Sequence, residues 1–174
     1  SPMSRGLGDV YKRQEYIEKK VALRDSRVLD IGCGGGILSE ALAKKGANVT
    51  AIDLADGPLS VARIRETKSQ LGINYRKVSS GELAQEGEQY DVVTCLEMLE
   101  HVPEPAEIVK DCAKLTKNGG HIFFSTINRN LKSFVFAILG AEYILNILPQ
   151  GTHDYDKLIK PCLLYTSDAA DEWL

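Results

Sequence analysis

A chain of 174 residues with 44% hydrophobic and 26% charged residues has the size and composition of one ordinary globular domain. These values exclude a mini-protein that depends on disulfides or a structural metal, and they argue against wholesale disorder. The 24 acidic and 21 basic residues give a net charge of -3, so the charge does not favour nucleic acid as a partner.

Cysteine usage indicates a reducing compartment. The four cysteines, Cys33, Cys95, Cys112 and Cys162, form no C-x-x-C pair and have no zinc-like spacing. We therefore interpret them as reduced thiols and expect an intracellular protein.

The two ends of the chain lack the periodic patterning of the sequence between them. We interpret residues 1–14 as a non-native leader and residues 162–174 as a non-native tail, because both resemble translated adapter or vector sequence. Ordinary frayed termini are the alternative interpretation. The domain itself is expected to span residues 15–161.

Short apolar runs alternate with helical periods from Arg27 onward, a pattern that favours βαβ units and a parallel sheet. The sequence predicts five strands: Val28 to Ile31, Val49 to Ile52, Tyr75 to Val78, Asp91 to Leu96 and His121 to Thr126. Pro58 predicts the start of a helix that ends near Gly72, and Pro105 predicts the start of another. The expected fold class is α/β.

A glycine-rich loop, Asp30-Ile-Gly-Cys-Gly-Gly-Gly36, follows the first strand directly. Glycine lets the backbone turn sharply and approach a ligand closely. Asp53 ends the second strand, where its carboxylate can accept hydrogen bonds from both ribose hydroxyls of an adenosine-containing cofactor. The order of strand, loop, helix, strand and acid is the strongest functional signal in the chain.

Details of the loop distinguish between adenosine cofactors. Ile37 stands where a dinucleotide-binding loop has its third glycine. The Asp30 carboxylate would repel a pyrophosphate, but it would attract the ammonium group of S-adenosylmethionine. The residues favour S-adenosylmethionine, and a nucleotide-dependent oxidoreductase is the alternative from another enzyme class.

Acidic and histidine residues follow the fourth strand at the carboxyl edge of the predicted sheet. Glu97, Glu100 and His101 have the spacing of one helical turn, and two carboxylates with an imidazole can bind a divalent cation such as Mg²⁺. His101 is alternatively a general base for a phenolic proton, since imidazole titrates near neutral pH. A solvated acidic turn is the third interpretation, and His153 is a second candidate base.

Leu131 to Leu148 is the most apolar segment of the chain. It contains Lys132 and Glu142, which weakens its interpretation as a membrane span. Two alternatives stay open, an interfacial helix on an anionic membrane surface and a buried helix that covers the sheet and lines the substrate pocket.

Several motifs resemble those of class I S-adenosylmethionine-dependent methyltransferases: VLDIGCGGG, AID, YDVVTCLEMLEHVPEP and GGHIFFSTINRN. Together with AEYIL and GTHDYDKLIKP, they closely resemble the ubiquinone-biosynthesis O-methyltransferases over Tyr16 to Pro161. The resemblance implies a Rossmann-like sheet of seven strands, here truncated after the fifth strand and its following helix. It also implies methyl transfer to a phenolic hydroxyl of a polyprenylated ubiquinone precursor. Transfer to another small acceptor and cofactor binding without turnover are the alternatives.

The resemblance also assigns roles to individual residues. It places Arg13, the loop glycines Gly32 and Gly34, Asp53 and Leu96 at the cofactor. It associates Glu97, Glu100 and His101 with a metal ion. The implied partners are a polyprenyl phenol or catechol, a membrane surface and other quinone-biosynthesis proteins. The implied location is the cytoplasm or the inner face of a membrane.

Overall fold

The computed structural model of the protein describes residues 2–126, 134–140 and 160–165, with side chains described for residues 10–125, 134–140 and 162. The helices are α1 (Pro2–Lys20), α2 (Ile37–Ala43), α3 (Asp56–Ser69), α4 (Ser80–Gln85), α5 (Pro105–Leu115) and α6 (134–140). The strands are β1 (Arg27–Ile31), β2 (Asn48–Ile52), β3 (Asn74–Arg76), β4 (Tyr90–Leu96), β5 (Thr116–Thr126) and β6 (Lys160–Tyr165). A short 3-10 turn, Leu99–His101, follows β4.

The strands form one parallel sheet in the order β3-β2-β1-β4-β5-β6. β1 lies between β2 and β4, so that Ile31 pairs with both Ile52 and Cys95. In open parallel sheets, ligands bind beyond the carboxyl ends of the strands where the strand order changes direction. The loop after β1 occupies this place, between the ends of β2 and β4.

All five predicted strands are confirmed, and with them the α/β fold. β3 ends at Arg76 rather than Val78, and β5 already begins at Thr116, before the Gly119-Gly120 turn. α5 begins at Pro105 as predicted, because proline fits the first helical turn, where its missing N–H leaves no bond unmade.

The structure adds a sixth strand to the five that were predicted. β6 pairs in parallel with β5, and Pro161 is tolerated because β6 is an edge strand of the described sheet. β6 crosses the predicted start of the tail at residue 162, and the half-buried Cys162 packs against the core cluster that contains Phe123.

The first helix likewise crosses a predicted boundary. α1 runs without interruption from the segment interpreted as a leader into the domain. Gln14 and Ile17 are both buried, on either side of that boundary. The interpretation of the two ends as non-native sequence stays a prediction.

Apolar side chains form one core cluster on each face of the sheet. Leu29 and Ile31 belong to the cluster that α4 and α5 cover, and Val28 belongs to the cluster that α1 and α2 cover. Successive residues of a strand point to opposite faces. Asp30 therefore lies on the face of Val28, beneath α2, at the point where β1 enters the glycine loop.

Candidate functional site

The glycine loop is bound to the end of β2 through its backbone. The N–H groups of Gly32 and Cys33 both donate to the carbonyl of Ile52, at 2.9 and 3.1 Å. Gly32 has a φ of 73°, and an added Cβ would lie 2.7 Å from Sδ of Met98. Gly34 also has a positive φ, 52°, but a Cβ there would meet nothing within 4 Å. The loop thus packs tightly at Gly32 and is open at Gly34.

The structure brings Asp53 to the glycine loop, as the sequence pattern predicts. Asp53 is half-buried, and its Oδ2 accepts a hydrogen bond from the N–H of Gly34 at 2.8 Å. Its Oδ1 accepts one from the N–H of Ala55, also at 2.8 Å. The open part of the loop and the carboxylate expected at the ribose therefore form one surface, which suits an adenosine-containing ligand.

Asp30 lies beneath this surface rather than on it. Its carboxyl group is 3% exposed and accepts hydrogen bonds from the hydroxyls of Ser39, at 2.6 Å, and Thr94, at 2.8 Å. Burial raises the pKa of Asp30 to about 6, although the two hydroxyls act in the opposite direction. The expected contact with a cofactor ammonium group stays a prediction.

The end of β4 provides the other side of the loop. Leu96 is half-buried there, and Glu97 follows with a left-handed φ of 54°. The N–H of Glu97 donates to Oγ of the buried Ser125 at 2.9 Å, which fixes this turn to β5. Strained backbone of this kind is common at functional sites.

An ion pair joins α1 to this turn. Nη2 of Arg13 donates to Oε1 of Glu97. The guanidinium is mostly buried, and the carboxylate is 41% exposed. The structure therefore pairs two residues to which the sequence assigned separate roles, Arg13 at the cofactor and Glu97 at a metal.

The three predicted metal ligands do not converge. Within the described ranges, no group of three His, Cys, Asp or Glu side chains is arranged to hold a metal ion. The left-handed Glu97 interrupts the helical turn that the spacing assumed, and the 3-10 turn begins only at Leu99. Glu100 and His101 are exposed on that turn. The helical turn that the spacing assumed is corrected accordingly, and the role of these residues as metal ligands stays a prediction.

Three hydroxyl residues of the site were missed in the sequence. Ser39, Thr94 and Ser125 are all fully buried and hold Asp30 or Glu97 in place. Thr94 could have been found, because it is the only aliphatic hydroxyl in the apolar strand YDVVTCL and pairs in register with Asp30. The other candidate base, His153, lies outside the described residues.

Of the apolar segment Leu131 to Leu148, the structure describes residues 134–140. Val135 and Leu139 are buried and Ile138 packs against the core, whereas Phe134 and Phe136 are 38% and 43% exposed. The described part of the segment therefore has both a core-facing side and exposed aromatic side chains. The helices in the described part of the chain include none long and apolar enough to cross a membrane.

Comparisons with known proteins relate this chain to methyltransferases. A family profile described as "Methyltransferase domain" matches residues 7–161. The ubiquinone biosynthesis O-methyltransferase of Stutzerimonas stutzeri (strain A1501) is 57% identical over 150 residues, which cover 86% of this chain and 65% of that protein. The same enzyme of Marinobacter nauticus is 56% identical over 152 residues, covering 86% and 64%. The chain thus spans slightly less than two thirds of these relatives.

A solved structure shows the same fold. The magnesium protoporphyrin IX methyltransferase of Synechocystis PCC 6803, crystallised with bound S-adenosylmethionine, superposes with a TM-score of 0.67 at 24% identity. The match covers 78% of this chain and 67% of that chain. At this identity the similarity bears on the fold alone.

Proposed function

Because the chain belongs to the methyltransferase domain family, we propose that it carries the cofactor-binding part of an S-adenosylmethionine-dependent O-methyltransferase. The observation that carries this proposal is the hydrogen bond between Asp53 and Gly34, beside an open loop. This arrangement offers carboxylate lone pairs for ribose hydroxyls and unobstructed backbone for the methionine portion of the cofactor.

The proposed acceptor is a phenolic hydroxyl of a polyprenylated ubiquinone precursor. The support is the identity of 56 to 57% with relatives named ubiquinone biosynthesis O-methyltransferase. The length of the prenyl tail and association with other quinone-biosynthesis proteins stay predictions. The alternative, methyl transfer to a different small acceptor, is tested by the methyl-transfer assay described below.

The cofactor, when bound, supplies an activated methyl group on a sulfonium. The protein therefore has to bind, align and deprotonate rather than form a covalent bond itself. The glycine loop and Asp53 would hold the adenosine and methionine portions, with Leu96 beside them. Arg13, which forms an ion pair with Glu97, would bind the carboxylate of the ligand.

His101 is the proposed general base. It ends the exposed turn after β4, and its backbone N–H donates to the carbonyl of Met98 at 2.9 Å. A ring nitrogen would take the phenolic proton as the oxygen approaches the methyl group. No step is assigned to Mg²⁺, because Glu97 is engaged by Arg13 and does not converge with Glu100 and His101.

Contact with a membrane surface is a further part of the proposal. Phe134 and Phe136 supply exposed aromatic surface on α6, and Lys160 begins the edge strand β6. A polyprenylated ring partitions into lipid, so an enzyme resting at the interface would meet its substrate there. Ile138 does not contribute, because it packs against the core.

Calorimetric titration of the chain with S-adenosylmethionine and with NADH tests the cofactor. We expect heat of binding with the first and none with the second, and the reverse result would favour the oxidoreductase. A methyl-transfer assay on a short-tailed catechol then tests the reaction. Cofactor binding without transfer in this chain and in a version of full family length would overturn the assignment of the acceptor.

A further inference from the structure

The carboxyl group of Asp30 is enclosed by three elements on the α2 face of the sheet. β1 carries it, α2 provides the hydroxyl of Ser39, and β4 provides the hydroxyl of Thr94. All three side chains are buried, with exposures of 3% for Asp30 and zero for its two partners. The carboxyl group is thus fixed two residues before Gly32, the first glycine of the loop.

This carboxylate has no cationic partner among the described residues. Its two partners are neutral hydroxyls, and the nearby carboxylate of Asp53 repels it electrostatically. A buried charge is costly unless an opposite charge or strong hydrogen bonds compensate it. The two carboxylates together give the floor of the loop a negative potential that would attract a positively charged ligand.

We propose that Ser39 and Thr94 are positioning residues that keep the Asp30 carboxylate ionised beneath the glycine loop, and that this buried charge selects the sulfonium cofactor over its thioether product. The proposal rests on the proposed cofactor, S-adenosylmethionine. Methyl transfer removes the positive charge from the sulfur, so a negative floor would favour exchange of the spent product for fresh cofactor.

Comparison of the two ligands isolates this effect. S-adenosylmethionine and S-adenosylhomocysteine share the adenosine, the ammonium group and the carboxylate, and they differ in the methyl group and the charge on sulfur. Any contact of Asp30 with the shared ammonium group changes both affinities and cancels in their ratio. The ratio of the two dissociation constants therefore reports on the sulfur.

Titration of Asp30 gives an independent readout. Its carboxyl group has a pKa of about 6, so lowering the pH from 7.5 to 5 neutralises it and reduces the preference for the sulfonium. The titratable groups that face it are Asp53, Cys33 and Tyr75. Burial raises the pKa of the thiol and of the phenol well above their usual values, so both stay neutral across this range.

The hydroxyl partners lower the pKa of Asp30. Ser39→Ala or Thr94→Val should therefore move the loss of preference to higher pH, and Thr94→Ser should restore the original midpoint. Asp53 is the other carboxylate near this position, so the pH response is also measured in Asp53→Asn. A pH response that persists in this variant would assign the titration to Asp30. A merely structural role of the two hydroxyls would change stability without moving this midpoint.

The matched control is a second buried hydroxyl and carboxylate pair. Ser80 donates to Oδ2 of Asp111 at 2.8 Å, between α4 and α5 on the opposite face of the sheet. Asp30→Asn should reduce the preference for S-adenosylmethionine over S-adenosylhomocysteine by about tenfold, as expected for charges several ångströms apart at an intermediate dielectric constant. Asp111→Asn should leave the ratio unchanged.

Affinities of the 174-residue chain for both ligands, measured by calorimetry from pH 5 to 7.5, decide the matter. An equal loss of both affinities in Asp30→Asn, or a ratio independent of pH, overturns the charge selection and leaves the proposed function intact. If the unmodified chain binds neither ligand, the proposed function itself fails. Should Asp30→Asn not fold, the pH response of the unmodified chain and of Ser39→Ala carries the decision.

Discussion

Oδ2 of Asp53 accepts a hydrogen bond from the backbone N–H of Gly34, with a distance of 2.8 Å between nitrogen and oxygen. This bond joins the acid that follows β2 to the loop that follows β1. The other oxygen of Asp53 accepts the N–H of Ala55. A carboxylate offers about four acceptor positions. Both oxygens therefore keep lone pairs that can accept the hydroxyls of a ribose without releasing the loop.

Replacement of Asp53 should weaken cofactor binding. We expect Asp53→Ala to reduce the affinity for S-adenosylmethionine by about 1 to 3 kcal/mol, the usual cost of removing one partner from partly buried hydrogen bonds. Asp56→Ala, three residues further on, is the control, because that side chain is 75% exposed and pairs with Lys77. Calorimetry should show the loss only in the first variant, and equal affinities would refute the ribose role.

The open position at Gly34 provides a second test of cofactor binding by the glycine loop. Gly34 and Gly72 both have positive φ angles, 52° and 77°, and an added Cβ would meet nothing within 4 Å at either site. Alanine should therefore cost each position about 1 to 2 kcal/mol of stability, because its Cβ disfavours the left-handed region. Only Gly34→Ala should also weaken S-adenosylmethionine binding, since its Cβ would lie in the open part of the loop where the cofactor is proposed to bind. A matching loss of affinity in Gly72→Ala would contradict that placement.

Local patterns were sufficient for five of the six described strands and for the partnership of loop and acid. β1, β2 and β4 are largely buried apolar runs, and the position of Asp53 follows from the parallel pairing of β1 with β2. The contact between Arg13 and Glu97 could not be predicted, because it depends on how α1 packs and on the left-handed φ of Glu97. The same φ explains why helical spacing misplaced Glu97 relative to His101.

The ion pair between Arg13 and Glu97 should contribute modestly to stability. Its carboxylate is 41% exposed, and solvent screens such pairs to about 0.2 to 1 kcal/mol. A double-mutant cycle with Arg13→Gln and Glu97→Gln, measured by chemical denaturation, should give a coupling free energy in that range.

Removal of divalent metal ions with EDTA should leave the affinity of the chain for S-adenosylmethionine unchanged. A large loss of affinity with EDTA would restore the metal interpretation of Glu97.

The stability of the protein should depend on the protonation of Asp30. Its pKa rises from 3.8 to about 6 on folding, so the folded state binds the proton more tightly than the unfolded state. Stability from this group is therefore present below about pH 4 and is lost as the pH rises to about 6, by at most about 3 kcal/mol. Asp30→Asn should lack this component. Denaturation curves from pH 4 to 7 should show the free energy of unfolding of the unmodified chain falling relative to that of Asp30→Asn as the pH rises. A difference between the two that is constant with pH would contradict the prediction.

Membrane contact through α6 makes a prediction that separates surface from core. Phe134 and Phe136 are exposed, whereas Val135 is buried. A charged side chain in place of either phenylalanine should therefore leave the fold intact. Burial of aromatic side chains in the interface and attraction of the lysines that flank the segment in the sequence to anionic headgroups would both favour binding. We expect the chain to co-sediment with anionic liposomes more than with neutral ones, and Phe134→Glu or Phe136→Glu to abolish the difference. Ile64→Glu, at an even more exposed apolar position on α3, is the control and should sediment with anionic liposomes as the unmodified chain does. If all three variants sediment alike, α6 does not contact the membrane, and its exposed aromatic side chains need another explanation, such as contact with the substrate.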